Sequence, residues 1–275
     1  MPSPAGAPDA RLERLRRWLD VSTAHNPSVL HDGSEVLFVS DATGLPLSYR
    51  VAVTGGAPRL ALGSSERTDR ILASPREGRA VVSSDAGGNE YWQLTLIDLD
   101  GGPSAPPPRR LTDDPKVIHS AGAWRPDGRH VLYSSNARDP RFFDVYEMAV
   151  DSPKRARRLW QDDGYAMVLD AREGSVLIAR ANSNLDIDLF EVGSDAPVHL
   201  NPHEGEVTVS SATLGADGVY GGANPGRELT ALVRYRHGRA GHEFLREYPG
   251  DVETVRSDPT GRRLALTINR DGLSE

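Results

Sequence analysis

The 275-residue sequence contains no cysteine and only two lysines, Lys116 and Lys154. Without cysteine, neither a disulfide-stabilised secreted scaffold nor a thiolate metal site can form. No apolar run approaches the ~18 residues that a membrane-spanning helix needs. The N-terminal stretch has no apolar signal-peptide segment, because its first regular part, from Arg11 to Asp20, is highly charged. These absences predict a cytoplasmic protein with no membrane partner.

Basic residues are also too few for a nucleic-acid-binding surface. The formal net charge is −7, with 39 acidic residues against 32 arginines and lysines. Phosphate binding relies on a basic surface. Short basic runs exist, for example Arg109 and Arg110, but acidic residues lie near each of them. We therefore expect solvated surface there and no nucleic-acid partner.

Glycine is abundant, and a glycine-containing turn recurs along the chain, usually followed by a short apolar run. Successive copies lie 43 to 50 residues apart, and their glycines are Gly33, Gly78, Gly128, Gly174, Gly218 and Gly261. A period in the mid-forties is that of one four-stranded β-propeller blade. A β-sandwich is the alternative, but six copies of one unit disfavour it. The sequence therefore predicts an all-β propeller.

The third copy shows the repeating unit most clearly. The turn at residues 125–128 (Arg-Pro-Asp-Gly) joins a short strand ending at Trp124 to the β-rich segment 130–134. Residues 144–149 then alternate polar and apolar, as a half-buried strand does, and a fourth strand ends at Trp160. Strands this short cannot bury a face alone, but stacked blades bury it between neighbours.

The repeats predict three parts of the chain. Residues 1–10 form a flexible tail, residues 11–20 a helix, and residues 21–275 the propeller domain. The apolar residues of the helix lie on one face, which we expect to pack against the propeller rim. These residues are Leu12, Leu15, Trp18 and Leu19.

The sixth copy ends early. It supplies two strands, and the segment from Asn269 to Glu275 is then a loop, so about five and a half blades are present. An open propeller leaves an unpaired strand edge, which closed folds avoid. We therefore expect a truncated piece of a longer protein. The strand Leu264 to Ile268 lies at or near an open edge, through which the chain can associate with itself.

Motifs in the second and third copies carry a family resemblance. They are Arg-Leu-Thr at 110–112, Trp-Arg-Pro-Asp-Gly at 124–128, Ser-Ser-Asn at 134–136 and the run from Arg138 to Tyr146. Together they resemble the N-terminal β-propeller of the prolyl oligopeptidase (S9) family of serine peptidases, particularly its acylaminoacyl-peptidase-like branch. The resemblance covers nearly the whole chain. The Pro-Asp-Gly units are also shared with TolB-like and WD40-like propeller repeats.

This resemblance implies a seven-bladed propeller followed by an α/β-hydrolase domain with a Ser–Asp–His triad. The propeller of such a peptidase filters or orients peptide substrates and covers the active site. No G-x-S-x-G nucleophile elbow occurs in this chain, since Gly272-Leu273-Ser274-Glu275 lacks the second glycine. We therefore assign no catalytic residue, and we expect the peptide substrate to be hydrolysed through a hydrolase domain that is absent here.

One loop of the third copy is the candidate substrate-facing site. It joins the second and third strands, and the resemblance implies that this side of the propeller faces the catalytic domain. The five residues are Arg138, Asp139, Arg141, Phe142 and Phe143. A planar guanidinium can bind a peptide carboxylate or carbonyl, and the phenylalanines can pack on a side chain. In the alternative interpretation, Asp139 pairs with an arginine locally and the phenylalanines pack between blades.

We expect no metal and no cofactor. His199 and His203 flank an Asn-Pro pair, which indicates a turn and not the helix on which an i, i+4 pair chelates zinc. The run 182–188 alternates oxygen-bearing residues as a calcium loop does, but Ile187 and Gly193 stand where an EF-hand needs Gly and Glu. Two other functions stay open. One is a stand-alone TolB-like interaction module, and the other is a lactonase-type propeller with ligands from separate blades.

Overall fold

The chain begins with a short helix and continues almost entirely in β-strands. The structure, a computed structural model, describes residues 10–101 and 105–275. Helix α1 spans Ala10–Leu19. The predicted tail lies outside the described residues, apart from Ala10, with which the helix begins. Within the described ranges, no helix has both the length and the apolar character needed to cross a membrane.

Four-stranded antiparallel sheets follow the helix, and they confirm the predicted β-propeller. Blade 1 consists of β1 (Ala24–Val29), β2 (Glu35–Ser40), β3 (Leu47–Ala52) and β4 (Arg59–Leu60). Blade 2 consists of β5 (Thr68–Ala73), β6 (Arg79–Ser84), β7 (Gln93–Asp98) and β8 (Arg109–Arg110). Blade 3 consists of β9 (His119–Trp124), β10 (His130–Asp139), β11 (Phe142–Ala149) and β12 (Arg157–Trp160), with a 3₁₀ helix at Pro153–Arg155.

The second half of the chain repeats this arrangement. Blade 4 consists of β13 (Tyr165–Arg172), β14 (Ser175–Ala181), β15 (Ile187–Val192) and β16 (Val198–His199). Blade 5 consists of β17 (Val209–Leu214), β18 (Val219–Ala223), β19 (Ala231–Tyr235) and β20 (His242–Arg246). Blade 6 has three strands, β21 (Asp251–Ser257), β22 (Leu264–Arg270) and β23 (Leu273–Ser274).

Blade 6 goes one strand further than the sequence analysis expected. The segment from Asn269 to Glu275 is not a loop, because β23 pairs with the end of β22 across a tight turn. The turn residues Asp271 and Gly272 both have positive φ, 53° and 84°. Asp-Gly is a preferred pair for such a two-residue hairpin turn. The dipeptide therefore starts a third strand.

The blades bury their sheet faces against one another. Neighbouring residues on a strand point to opposite faces of the sheet. Accordingly, Val81 of β6 packs toward blade 3 and Val82 packs toward blade 1, and both are fully buried. Five apolar clusters fill the five interfaces between successive blades, and the last cluster has only three buried members, Leu232, Val252 and Val255. The sixth blade is therefore the most weakly anchored.

Arginines add polar links at the end of the propeller that carries the turns between the first and second strands, here called the turn face. The Nε of Arg76 donates to the Pro126 carbonyl of the next blade at 2.8 Å. Arg125 donates from Nη1 to the carbonyls of Arg172 and Ser175, at 3.4 and 3.3 Å. Each of these arginines thus ties its own blade to the following one.

Arg172 makes the most extensive of these links. From blade 4 it donates to the Leu214 carbonyl of blade 5 at 2.7 Å. It also donates to blade 6, to the carbonyls of Pro259 at 2.9 Å and Asp258 at 2.8 Å, and to the Ser257 hydroxyl at 3.0 Å. One guanidinium therefore holds three successive blades together.

Two turn glycines are required by this contact between blades. Gly128 has φ +67°, and a Cβ there would lie 2.8 Å from the Cβ of Arg76. Gly261 has φ +72°, and a Cβ there would lie 2.6 Å from the Ala216 nitrogen and 3.0 Å from Cζ of Arg172. Any other residue would be strained at this positive φ, and its Cβ would displace the neighbouring arginine.

Helix α1 does not pack as expected. Its apolar side chains are exposed by 53% at Leu12, 54% at Leu15 and 77% at Trp18. The 3.6-residue periodicity identified the helix correctly, but an apolar face does not by itself identify a partner. The expected packing against the propeller rim is therefore not seen.

Replacing Arg172 with alanine should loosen the last blade. Arg172→Ala removes hydrogen bonds to blades 5 and 6, and we expect the free energy of opening blade 6 to fall by about 3 kcal/mol. Amide hydrogen exchange in residues 251–270 should accelerate more than in blade 2. The exposed Arg155→Ala serves as the control and should change neither. Equal exchange rates in blade 6 of the native chain and the Arg172 variant would contradict this role.

We propose that the exposed edge of blade 6 mediates self-association of this chain. Leu273 on β23 is 70% exposed at that edge. Unpaired strand edges add further strands, and a charge at the edge opposes this pairing. Sedimentation velocity of the 275-residue chain should show concentration-dependent association that Leu273→Lys weakens. A native chain that stays monomeric at every concentration would refute the proposal.

Candidate functional site

The first strands of all six blades line one cavity, which is the central channel of the propeller. The cavity has a volume of about 420 Å³ and lies next to the turn face, where Pro75, Pro126 and Pro259 border it. We call it the channel cavity. Its charged lining residues are Asp170, Arg172, Arg256 and Asp258.

The carboxylate of Asp170 is fully engaged in the wall of this channel. Its Oδ2 accepts hydrogen bonds from the Thr213 hydroxyl at 2.7 Å and the Leu214 amide at 2.8 Å, both in blade 5. Its Oδ1 accepts from the Ala171 amide at 2.7 Å. Asp170 therefore links blades 4 and 5, and its negative charge is already stabilised by these donors.

A second cavity opens at the opposite end of the channel, and we call it the mouth cavity. Its volume is about 480 Å³. Its aromatic and charged lining residues are Asp69, Arg70, Glu90, Trp92, Phe143 and Tyr165. Gly122 and Leu169 line both cavities, so the two adjoin along the channel. This end carries the connections between second and third strands, where the sequence analysis placed the substrate-facing side.

The predicted loop at residues 138–143 is in fact the tip of a long β-hairpin. Strand β10 extends to Asp139 and β11 begins at Phe142, and these two residues pair with each other. Only Pro140 and Arg141 form the turn between the strands. The hairpin extension lies beside blade 4, where Phe143 forms a parallel bridge to Tyr165.

Arg138 uses its guanidinium to hold this hairpin in place. Nε and Nη2 donate to the two carboxylate oxygens of Asp144 at 2.8 and 3.1 Å, and the Asp144 side chain is fully buried. Arg138 also donates to the Asp162 carbonyl at 2.8 Å and to Asp163 Oδ1 at 3.2 Å. The hydrogen bond to Asp144 is the main cause that raises the pKa of Arg138. Its donors are thus directed to protein acceptors.

Arg141 and Asp139 form a local pair at the tip. Arg141 donates from Nε and Nη2 to the two oxygens of Asp139, at 3.0 and 2.8 Å. The hydrogen bond from the Arg141 side chain holds the pKa of Asp139 well below its usual range. The same guanidinium lies 4.7 Å from the centroid of the Phe142 ring. This geometry is the local pairing that the alternative interpretation described.

Phe143 alone among the five predicted residues lines the mouth cavity. Its ring lies 4.5 Å from that of Tyr165, centroid to centroid, across the interface between blades 3 and 4. Tyr165 remains 45% exposed, and burial is the main cause that raises its pKa. The two rings together form an aromatic surface at one side of the mouth.

Sequence reasoning missed the opposite side of the mouth. Arg67 lies 4.8 Å above the Trp92 ring and donates from Nη2 to Asp85 at 3.1 Å and Glu90 at 3.3 Å. Trp92 stands in the connection between the second and third strands of blade 2. The hairpin of blade 3 was selected because it connects the second and third strands, and the same criterion applied to blade 2 identifies Trp92.

The histidine and calcium-like motifs are used for local structure. His199 Nε2 lies 2.9 Å from Asp188 Oδ1, and His203 Nε2 lies 2.8 Å from Asp186 Oδ1. Asn182 Nδ2 donates to both of these aspartates, at 2.9 Å to Asp188 and 3.2 Å to Asp186. Across residues 10–101 and 105–275, no group of three or more histidines and carboxylates is arranged to hold a metal ion.

The two hairpin arginines should respond differently to substitution. Arg138→Gln leaves the buried Asp144 carboxylate without its bidentate partner, so we expect a clearly lower melting temperature. Arg141→Gln at the exposed tip should change the melting temperature little, since exposed ion pairs contribute little. Thermal denaturation followed by circular dichroism measures both. An Arg138 variant as stable as the Arg141 variant would contradict a structural role for Arg138.

Comparisons with known proteins show similarity in fold. No protein-family model matches the sequence, and no curated protein matches it either. Solved structures do match. A prolyl endopeptidase is 12% identical with a TM-score of 0.69, over 93% of this chain and 41% of that one. The acylaminoacyl peptidase of Pyrococcus horikoshii is 12% identical with a TM-score of 0.63, over 89% and 41%.

A protein without the peptidases' extra length matches as well. The TolB-like protein of Agrobacterium tumefaciens is 16% identical with a TM-score of 0.60, over 81% of this chain and 80% of that one. The chain thus spans most of the length of this TolB but less than half of the peptidases. At these identities the likeness concerns the fold alone. The chain is a β-propeller similar to TolB and to the propeller domains of prolyl endopeptidase and acylaminoacyl peptidase.

Proposed function

We propose that this chain is the substrate-orienting propeller of an S9-like serine peptidase, and that its mouth cavity binds peptide. The observation that carries the proposal is the lining of that cavity. Trp92 of blade 2, Phe143 of blade 3 and Tyr165 of blade 4 supply its aromatic lining. Asp69 and Arg70 of β5 add one charge of each sign. Aromatic walls with a few charged groups suit an extended peptide with mixed side chains.

The site's position along the channel supports the same proposal. The mouth cavity adjoins the channel cavity at Gly122 and Leu169, so a peptide at the mouth can reach into the propeller. The structural neighbours include peptidases whose chains extend well beyond the part that this propeller matches. In the full-length protein, we propose, a hydrolase domain supplies the nucleophile and the propeller selects what reaches it.

Peptide binding by the chain tests the proposal directly. A fluorescently labelled, N-acetylated and C-terminally amidated peptide with one phenylalanine should bind, as measured by fluorescence anisotropy. Trp92→Ala and Tyr165→Ala should each weaken binding by about tenfold, because each removes an aromatic contact of the mouth.

Trp18→Ala is the matched control, because Trp18 is an exposed tryptophan on helix α1 and does not line the mouth cavity. It should bind the peptide as the native chain does. Failure of the native chain to bind any peptide would overturn the proposal. So would equal affinities for the Trp92, Tyr165 and Trp18 variants.

A stand-alone interaction module is the second candidate. It is favoured by the match to the Agrobacterium TolB, of which this chain covers 80%. Such a module would bind a folded protein partner, and the short amidated peptide would neither bind nor displace that partner. The same anisotropy experiment therefore separates the two candidates.

A further inference from the structure

Arg70, on β5, lines the mouth cavity without a partner for its side chain. Within the described part of the chain, its guanidinium makes no hydrogen bond and no ion pair, and its Nε is buried with no acceptor. Asp69 and Glu90 line the same cavity, but neither comes within ion-pairing distance of Arg70, and Glu90 contacts Arg67 instead. Burying a charged donor without an acceptor is costly.

Arg256, on β21, is a second arginine in the channel, and it forms no ion pair with any carboxylate that the structure describes. It lines the channel cavity and donates from Nη1 to the Ser211 hydroxyl at 2.7 Å and to the Val255 carbonyl at 3.0 Å. Loss of hydration inside the channel is the main cause that lowers the pKa of Arg256. The negative charge of Asp170 raises this pKa, and the like charge of Arg70 lowers it further. The cavities that Arg70 and Arg256 line adjoin at Gly122 and Leu169, so both cations face the same channel.

The one carboxylate that acts on Arg256 electrostatically is already satisfied. Asp170 accepts hydrogen bonds on both oxygens from Ala171, Thr213 and Leu214, and it makes no ion pair with Arg256 among the described residues. The channel thus holds two guanidinium groups that pair with no carboxylate of the described ranges.

We propose that Arg70 and Arg256 form an anion site in the central channel that binds a carboxylate of the incoming peptide. The site deepens the proposed function and rests on it. A guanidinium presents a planar fork of donors that fits the two oxygens of a carboxylate. Arg70 lines the mouth cavity, of about 480 Å³, and Arg256 lines the adjoining channel cavity, of about 420 Å³, so a peptide end that enters the mouth can approach both arginines. The carboxylate comes from the C-terminus of the peptide or from an acidic side chain.

Three forms of one labelled, N-acetylated peptide identify the site and the source of the carboxylate. They are the free C-terminal acid, the C-terminal amide, and an amide with aspartate as its last residue. The native chain should bind the free acid at least about tenfold more tightly than the amide, since charge-assisted hydrogen bonds form only with the acid. A tight aspartyl amide with a weak free acid would assign the carboxylate to a side chain.

The ratio of acid to amide affinity is the readout for each variant. Arg70→Gln and Arg256→Gln should each reduce this ratio toward one. Arg70→Lys keeps the charge but loses the planar fork of donors, so its ratio should lie between those of the native chain and Arg70→Gln. The exposed Arg155→Gln is the control and should keep the native ratio. Circular dichroism and melting curves establish that each variant is folded. A native ratio near one for both carboxylate peptides, or a ratio unchanged in both glutamine variants, would overturn the anion site.

A separate probe distinguishes this failure from that of the proposed function. Acetate should raise the melting temperature of the native chain at constant ionic strength and should not raise that of Arg70→Gln. Acetate stabilisation without any peptide binding would refute peptide recognition and keep the anion site. Binding of the amide without a carboxylate effect would keep peptide recognition and refute the anion site.

Discussion

Each blade of this propeller can bury the two faces of its sheet only against the neighbouring blades, and the rest of the structure depends on that constraint. A strand such as β6, with Val81 directed to one neighbour and Val82 to the other, is apolar on both faces. The polar backbone at the turns then needs its own partners, and the arginines Arg76, Arg125 and Arg172 supply them across the same interfaces. Apolar burial and charged hydrogen bonds therefore act between the same pairs of blades.

The channel is a consequence of this arrangement. Once the sheets pack face to face, the first strands of the six blades line a central space. Their side chains that face this space can be polar, because they are not part of the apolar interfaces between blades. Asp170 and Thr213 use this freedom to join blades 4 and 5. Arg256 joins blades 5 and 6 through Ser211 but has no carboxylate partner among the described residues, and Arg70 makes no such link within the same ranges. Structural and ligand-binding roles therefore differ among residues that occupy equivalent places in the repeat.

The fold could be predicted because the turn glycines recur periodically. The site could not, because its residues follow no repeat. The turn glycines recur at nearly equal spacing, so blade number and strand order followed from the sequence, and the Asp-Gly pair at 271–272 could have announced the third strand of blade 6. The sequence showed that Arg138 and Arg141 are two cations in one segment. It did not show that Arg138 donates hydrogen bonds to Asp144 and that Arg141 donates them to Asp139. Arg70 belongs to no motif, and only the packing shows that its side chain has no partner within residues 10–101 and 105–275.

The interface between blades 5 and 6 buries fewer apolar residues than the other interfaces, and this difference affects how the protein unfolds. Blade 6 meets blade 5 through three buried apolar residues, and the side of blade 6 away from blade 5 carries no further sheet within the described residues. Where units contact only their neighbours, stability is approximately a sum along a line, as in repeat arrays. We therefore expect blade 6 to lose structure before the inner blades, so that unfolding is not a single all-or-none transition. A single unfolding free energy would describe blades 2 to 4 better than it describes the chain.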